Sequence, residues 1–386
     1  MKAFVVNDYP TVGVEQEFHL IDGVTGELAP RVDQVFENLS EPMRGSVCYE
    51  LFHSVLEHKS AVCRTIDELV DNVTGARREL AQACEKAGVR LAAAASHAFS
   101  DWRAQTIVPS EHYEWVAREC VYSAQRMVAF GLHVHVGMQN AESAMYVMYE
   151  MRRWAYPLLA LSANSPYFEG QATGFASTRT HLFNCMPRTL MPPEFADFAE
   201  LEAYYEQLLA AGDVTAPGDL WWSIRPQPPL GTVEFRVLDL PTDVRRLAAL
   251  AAITQAAMAM YQDKFNAGAA PSRLNPARLD QNRWKAMRHG LDGQVLEPQT
   301  GEILAMRDQI ERLIDMIGPK AEELGSASHI DFAREMLEEG TEAQWQIRTC
   351  EKLGGDLGAL ELEIAKRTLG AECLGATEQE KMGDIR

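Results

Sequence analysis

VGVEQEFHL, residues 12–20, places Val14, Gln16, Phe18 and Leu20 on one parity and Glu15, Glu17 and His19 on the other. Side chains on a strand alternate between its faces, so this run predicts a strand near the core with both glutamates on one face. A buried carboxylate without a partner costs several kcal/mol, and two neighbours also repel. A shared cation removes both penalties. So does water, if this is the wet face of a one-sided antiparallel sheet. The stretch by itself is compatible with either.

Other stretches repeat the design. GLHVHVG (131–137) sets His133 and His135 against Val134 and Val136. Neutral imidazole is a common metal ligand, and a hydrogen-bonded histidine pair is the alternative. In GTVEFRVLD (231–239), Glu234 and Arg236 share a face. They read as a structural ion pair, or as a metal ligand beside a phosphate clamp, because guanidinium grips phosphate with a planar fork. Glu50 and Glu57 are seven apart and of opposite parity, so they converge only if a turn or bulge intervenes. Lys59 shares parity with Glu57 and neutralises it without a metal in the competing reading. Arg179 and Arg225 sit in a loop and at a strand end, as binding groups or as ordinary surface arginines.

Bulk properties narrow the choice. The 386 residues hold 36 Lys and Arg against 55 Asp and Glu, a net charge of −19. That balance argues against a nucleic-acid or anionic-membrane partner, although metal ions let an acidic site bind ATP. The N-terminus lacks the apolar core of a secretory signal. The most apolar run, 247–261, is shorter than the roughly 20 residues of a membrane span. Seven cysteines, scattered and without a C-x-x-C pair, predict reduced thiols, a cytoplasmic location and no structural zinc.

The expected fold class is α+β, one catalytic unit over 1–386. It has a strand-rich part at 1–242, a helical part at 243–375 and a mobile polar tail at 376–386. Strands are predicted at 12–21, twice within 46–62, at 89–99, at 131–138 and twice within 220–240. Helices are predicted at 67–87, 111–129 and 141–162, with a loop through 170–195. Only helices are expected after 243, at 243–263, 302–316, 328–339 and 341–367. Carboxylates and imidazoles without thiolates suit magnesium or manganese. Several such ions with arginines describe phosphoryl transfer. Neither a P-loop nor a G-x-G-x-x-G fingerprint occurs.

These motifs, together with SPYFEG (165–170), FASTR (175–179), WWSIRPQPPLGTVEFRVLD (221–239) and RHGLDGQVLEPQTGE (288–302), follow a familiar order and spacing. The chain resembles the glutamate–cysteine ligase type 2 family, and within it the bacterial carboxylate–amine ligases. The resemblance implies a glutamine-synthetase-like catalytic fold, a curved antiparallel sheet forming a funnel with helices outside. It implies ATP, two or three Mg²⁺ (or Mn²⁺), and activation of a carboxylate, usually the γ-carboxylate of glutamate, as an acyl phosphate that an amine then displaces. By that resemblance Glu15, Glu17, Glu50, Glu57, His133 and Glu234 would hold metal. His135, Arg236 and Arg225 would contact the phosphates, with Arg225, Arg236 and Glu50 catalytic. Arg179 would grip a substrate carboxylate.

Two positions depart from the family pattern. An acid is usual at Ser223, so its loss implies that Arg225 lacks a neighbour and that amine binding is altered. Lys59 stands where small or apolar residues are usual, and would compete with a metal or bind an anionic substrate group. Competing readings are a phosphagen-type kinase on the same superfold, a metal hydrolase built on H-x-H, and a degenerate nucleotide- or metal-binding homologue. Expected partners are small molecules, an amino-acid carboxylate and an amine, with a homo-oligomer left open.

Overall fold

In the computed structural model, residues 3–7 and 9–373 are described. The tail 376–386, expected to be mobile, lies outside them. The strands are β1 (Val12–Asp22), β2 (Val47–Tyr49), β3 (Val55–Lys59), β4 (Val89–Ala92), β5 (Gly131–Gly137), β6 (Tyr167–Phe168), β7 (Gln171–Ala172), β8 (Ile224–Gln227), β9 (Thr232–Asp239), β10 (Gln294–Leu296) and β11 (Ile303–Ala305). A seven-stranded sheet runs β2-β3-β1-β5-β9-β8, and β4 joins the far half of β1. Every pairing within it is antiparallel.

Alternation gives this sheet two unlike faces. Val14, Phe18, Leu132, Val134, Val233 and Phe235 are buried in one large apolar cluster with the helices Ile66–Lys86, Ala155–Ser162 and Val244–Asn266. Gln16 shares that face and is satisfied there. Arg77 Nε donates to Gln16 Oε1 at 3.0 Å, and the buried guanidinium also reaches the carbonyls of Pro241 and Thr242, at 3.0 and 2.5 Å. Polar atoms on an apolar face survive when each finds a partner. The opposite face carries the acids, imidazoles and arginines.

The predicted 141–162 helix is two helices, Ala141–Met151 and Ala155–Ser162. A continuous helix would drive the Pro157 ring into the carbonyl four residues back, whereas the first turn of a new helix tolerates proline. Likewise 341–367 divides into Glu342–Lys352 and Leu357–Cys373, with Gly354 and Gly355 at φ 68° and 87° between them. The 111–129 helix ends at Gln125, and the extended 89–99 segment is regular only through Ala92. The loop 170–195 contains a helix, Thr178–Phe183, capped by the Ser177 side chain. The β10–β11 hairpin corrects the expectation of helices alone after 243. Helices Phe198–Ala211 and Pro276–His289 were not anticipated. Among the described residues, no helix is long and apolar enough to cross a membrane.

Candidate active site

Strand register carries the polar side chains into one row. Across β1 and β3, Glu15 faces Lys59 and Glu17 faces Glu57. Across β1 and β5, Glu15 faces His133. Across β5 and β9, His135 faces Glu234, and on β8 Arg225 faces Glu234 in turn. The register slips between Leu132 and Val134 of β5, where β9 has one residue more. A bulge of this kind bends a strand and re-aims its side chains, and here it brings Arg236 beside His133, Nη1 to Nδ1 3.3 Å. Glu50 arrives by the turn that its spacing from Glu57 required, in the segment joining β2 and β3. All of these groups except the buried Glu234 line one cavity of about 470 Å³. Arg225 and Arg236, which hold Glu234, stand at its wall.

Distances within the row are short. Glu15 Oε2 lies 3.0 Å from His133 Nδ1, and Glu15 Oε1 3.7 Å from His135 Nε2. Glu17 Oε1 lies 3.4 Å from His133 Nε2, while its other oxygen accepts from the Gly131 backbone N–H. Glu234 accepts from Arg225 Nε at 2.7 Å, from Gln227 Nε2 at 2.6 Å and from Arg236 Nη1. Three donor sets have ligand atoms mutually within 4.8 Å: Glu15–Glu57–His133, Glu15–His135–Glu234 and Glu17–Glu50–Glu57. The buried Nε2 atoms of His133 and His135 have no hydrogen-bond partner.

The acids divide electrostatically. Burial alone would raise the Glu15 carboxyl, but the hydrogen bond to His133 and the close approach and charge of both His133 and His135 outweigh it and hold the group far below the usual carboxylate range. Burial opposes ionisation of Glu234 too, and Arg225 and Arg236 overcome it. At the other end, burial and then the charges of Glu57 and Glu17 push Glu50 well above its ordinary value. Burial and the Glu15 charge push Glu57 up to about 7 despite Lys59. Among the described residues, no lysine or arginine is ion-paired with Glu17 or Glu50. The row is therefore neutralised at Glu234 and short of positive charge at Glu50. Oxygen and imidazole donors at such a place fit a divalent cation of the magnesium or manganese type.

The remaining candidates sit as follows. Lys59 Nζ lies 3.0 Å from Glu57 and 3.7 Å from Glu15. Arg179 donates to the carbonyls of Arg236 and Val237, at 3.2 and 3.3 Å, so it steadies β9 as well as lining the cavity. Its guanidinium occupies the space where a Cβ on Gly131 would stand. Ser223 lines a small pocket that shares Arg179, Phe183, Trp221 and Arg236 with the cavity. Its position does not leave Arg225 without neighbours, as the departure from the family pattern implied. Arg225 holds Glu234 and also donates to the Leu220 carbonyl at 2.9 Å. His19, on the parity of Glu15 and Glu17, lies beyond the row. It is fully buried, stacks on Phe130 and sits 3.2 Å from Glu361 of the last described helix.

Sequence reasoning missed Gln227 and Thr232. Gln227 supports Glu234, and Thr232 Oγ1 holds His135 Nδ1 at 3.1 Å. Each stands two residues from a chosen site residue on the same strand, so parity could have found both. Tyr113, which lines the cavity from the helix Glu111–Gln125 and donates to the Tyr49 carbonyl at 2.9 Å, left no such signal.

A protein of Rubrobacter xylanophilus named "Putative glutamate--cysteine ligase 2-1" is 36% identical over 364 residues, covering 94% of this chain and 96% of its own. One of Herpetosiphon aurantiacus with the same kind of name is 32% identical, covering 93% of each. Among solved structures, the glutamate–cysteine ligase of Francisella tularensis in complex with AMP matches at a TM-score of 0.71. It is 12% identical and covers 100% of this chain and 93% of its own. The ligase PafA, solved with the ubiquitin-like protein Pup, matches at 0.57 with 12% identity, covering 98% of this chain and 77% of its own. These likenesses bear out the α+β, glutamine-synthetase-like fold. The model of glutamate–cysteine ligase family 2 matches residues 11–363, and with these relatives it makes the chain a member of that family of ligases.

Proposed function

We propose that the protein is an ATP-dependent carboxylate–amine ligase that forms an amide through an acyl phosphate, with the γ-carboxylate of glutamate as the acid. The observation that carries this is the convergence of three cation-sized donor sets and three arginines at one cavity and its wall. A phosphoryl group and an attacking carboxylate repel, so their meeting needs concentrated positive charge. Divalent ions, held by Glu15, Glu17, Glu50, Glu57, His133, His135 and Glu234, would bridge the phosphates and neutralise the charge that develops there.

The chain's own groups then take distinct roles. Arg236, braced by Glu234, presents its fork to the phosphates, and Arg225 backs the transferred phosphoryl group from β8. Glu50 accepts only the Leu51 N–H, at 3.1 Å, and keeps lone pairs for a cation or for the proton that the incoming ammonium must lose. Arg179 and the Ser223 pocket lie on the side where substrate polar groups would be read. The funnel wall shelters an acyl phosphate from water. The chain works as one catalytic unit in this reading, because the helix Val244–Asn266 packs under the sheet that bears the site. The free state of the described cysteines supports a reducing, cytoplasmic setting.

Incubation with ATP, Mg²⁺, glutamate and pooled amines, followed by mass spectrometry, tests this. ADP is expected in step with new γ-glutamyl amides. A stable phosphorylated acceptor with no amide would make the protein a kinase instead, and no ADP with any acid or amine would refute both.

A further inference from the structure

In one of the three donor sets a single ammonium stands between two of the acids, whereas in the set Glu15–His135–Glu234 the cations Arg225 and Arg236 are paired with Glu234. Lys59 is the register partner of Glu15 across β1 and β3, and it stands two residues beyond Glu57 on the same face of β3. Its ammonium therefore hangs between these two carboxylates, 3.0 Å from Glu57 Oε1 and 3.7 Å from Glu15 Oε1. Glu15 and Glu57 are the two acids of the set Glu15–Glu57–His133. The third member, His133, has its Nδ1 turned to Glu15 at 3.0 Å and to Arg236 at 3.3 Å. In the set Glu17–Glu50–Glu57 Lys59 reaches Glu57 alone, and among the described residues no ammonium bridges two of its members. Glu17 meets His133 and a backbone N–H, and Glu50 meets only a backbone N–H.

We propose that Lys59 is a resident cation that takes the place of one divalent ion, so that this ligase loads two ions where its carboxylate row could hold three. The proposal rests on the metal reading of the site given above. A divalent ion between Glu15 and Glu57 would have to displace an ammonium that the sheet register supplies from directly opposite, at no cost in diffusion or dehydration of a free ion. Glu17–Glu50–Glu57 and Glu15–His135–Glu234 would then hold the two divalent ions. Lys59 is half-exposed at the end of its strand, so its replacement does not open the core.

Mn²⁺ binding, followed by titration calorimetry and by the loss of the free-ion EPR signal with a non-hydrolysable ATP analogue present, reads the count directly. Wild type is expected to bind two Mn²⁺ per chain, Lys59→Met three, and Lys59→Arg, which keeps the charge, two. Three ions in wild type overturn the proposal without need of any variant. So does an equal, non-zero count in wild type and Lys59→Met, and in both cases the metal reading of the site stands. Absence of bound Mn²⁺ from wild type overturns the proposal together with that reading.

Discussion

Arg225 and Glu234 are register partners on neighbouring strands, and their side chains close on each other as well, Nε to Oε2 2.7 Å, with the carboxylate fully buried. Arg236 and Gln227 grip the same group. A buried carboxylate with this many donors is part of the scaffold as well as of the site. Removing one partner of a buried ion pair typically costs about 3–5 kcal/mol, because the other charge is stranded. Glu234→Gln is therefore expected to lower the stability of the protein by that order in urea denaturation, in addition to abolishing ADP release. Glu17→Gln, whose parent acid has no lysine or arginine partner among the described residues, is expected to abolish ADP release with little change in stability.

The crowded end of the row should behave in the opposite way. Glu50 is half-buried, repelled by Glu57 and Glu17, and among the described residues supported by a single backbone donor. Glu50→Gln relieves that repulsion. The expected outcome for the metal-free variant is a melting temperature about 1 °C above wild type, consistent with about 1 kcal/mol in a protein of this length. Turnover should fall at least 100-fold and Mn²⁺ affinity should drop. A melting temperature below that of wild type would mean that Glu50 is held by more than the structure provides.

Gly131 leaves room for Arg179. A Cβ there would clash with Nη2 of an arginine tied to two carbonyls of β9. Overpacking of this kind costs about 1–3 kcal/mol. Gly131→Ala should lower stability by that amount and raise the KM for the acid substrate, and calorimetry with steady-state kinetics checks both.

Acid sensitivity should trace to His97, well away from the row. Its Nδ1 accepts from the Phe99 and Ser100 N–H groups, at 3.3 and 3.1 Å, and its Nε2 lies 2.8 Å from the Gly26 carbonyl. This arrangement suits the neutral ring with its proton on Nε2. Burial lowers its pKa, with the nearby Glu361 pulling upward and His19 pulling downward. The unfolded chain thus takes up a proton, near the ordinary value of about 6.5, that the folded chain refuses. Stability is full above that value and lost as pH falls from it toward the folded pKa. His58, pushed down to about 4 by burial and then by Arg77, adds to the same limb. Melting temperatures between pH 7.5 and 5.5 should fall for wild type and fall less steeply for His97→Gln. Parallel curves would remove His97 from the account.

Much of the site was legible because parity is a local property. Glu15 with Glu17, His133 with His135, and Glu234 with Arg236 each announce a shared face within three residues. What parity does not encode is which strand lies beside which. The pairing of His135 with Glu234, the extra residue of β9 opposite His133, and the placement of Lys59 onto Glu15 depend on register between distant segments. Helix Pro276–His289 was not anticipated, although its start is marked in the sequence. Asn275 caps it and Pro276 opens it, and proline at the first helical position is a start signal. Helix Phe198–Ala211 also carries its own punctuation, Asp197 at the N-terminus and Gly212 at φ 81° beyond the end.

The contact between His19 and Glu361 joins residues 342 positions apart, and it fastens the strand that carries Glu15 and Glu17. On a ribosome, the eleven residues of β1 emerge long before Glu361 and must wait for it before this clasp can form. Contacts so distant in sequence slow folding, since the long loop must close before it is rewarded. The nascent chain therefore makes its acid strand before the helix that clasps it, and that strand reaches its final setting only once Glu361 has been synthesised.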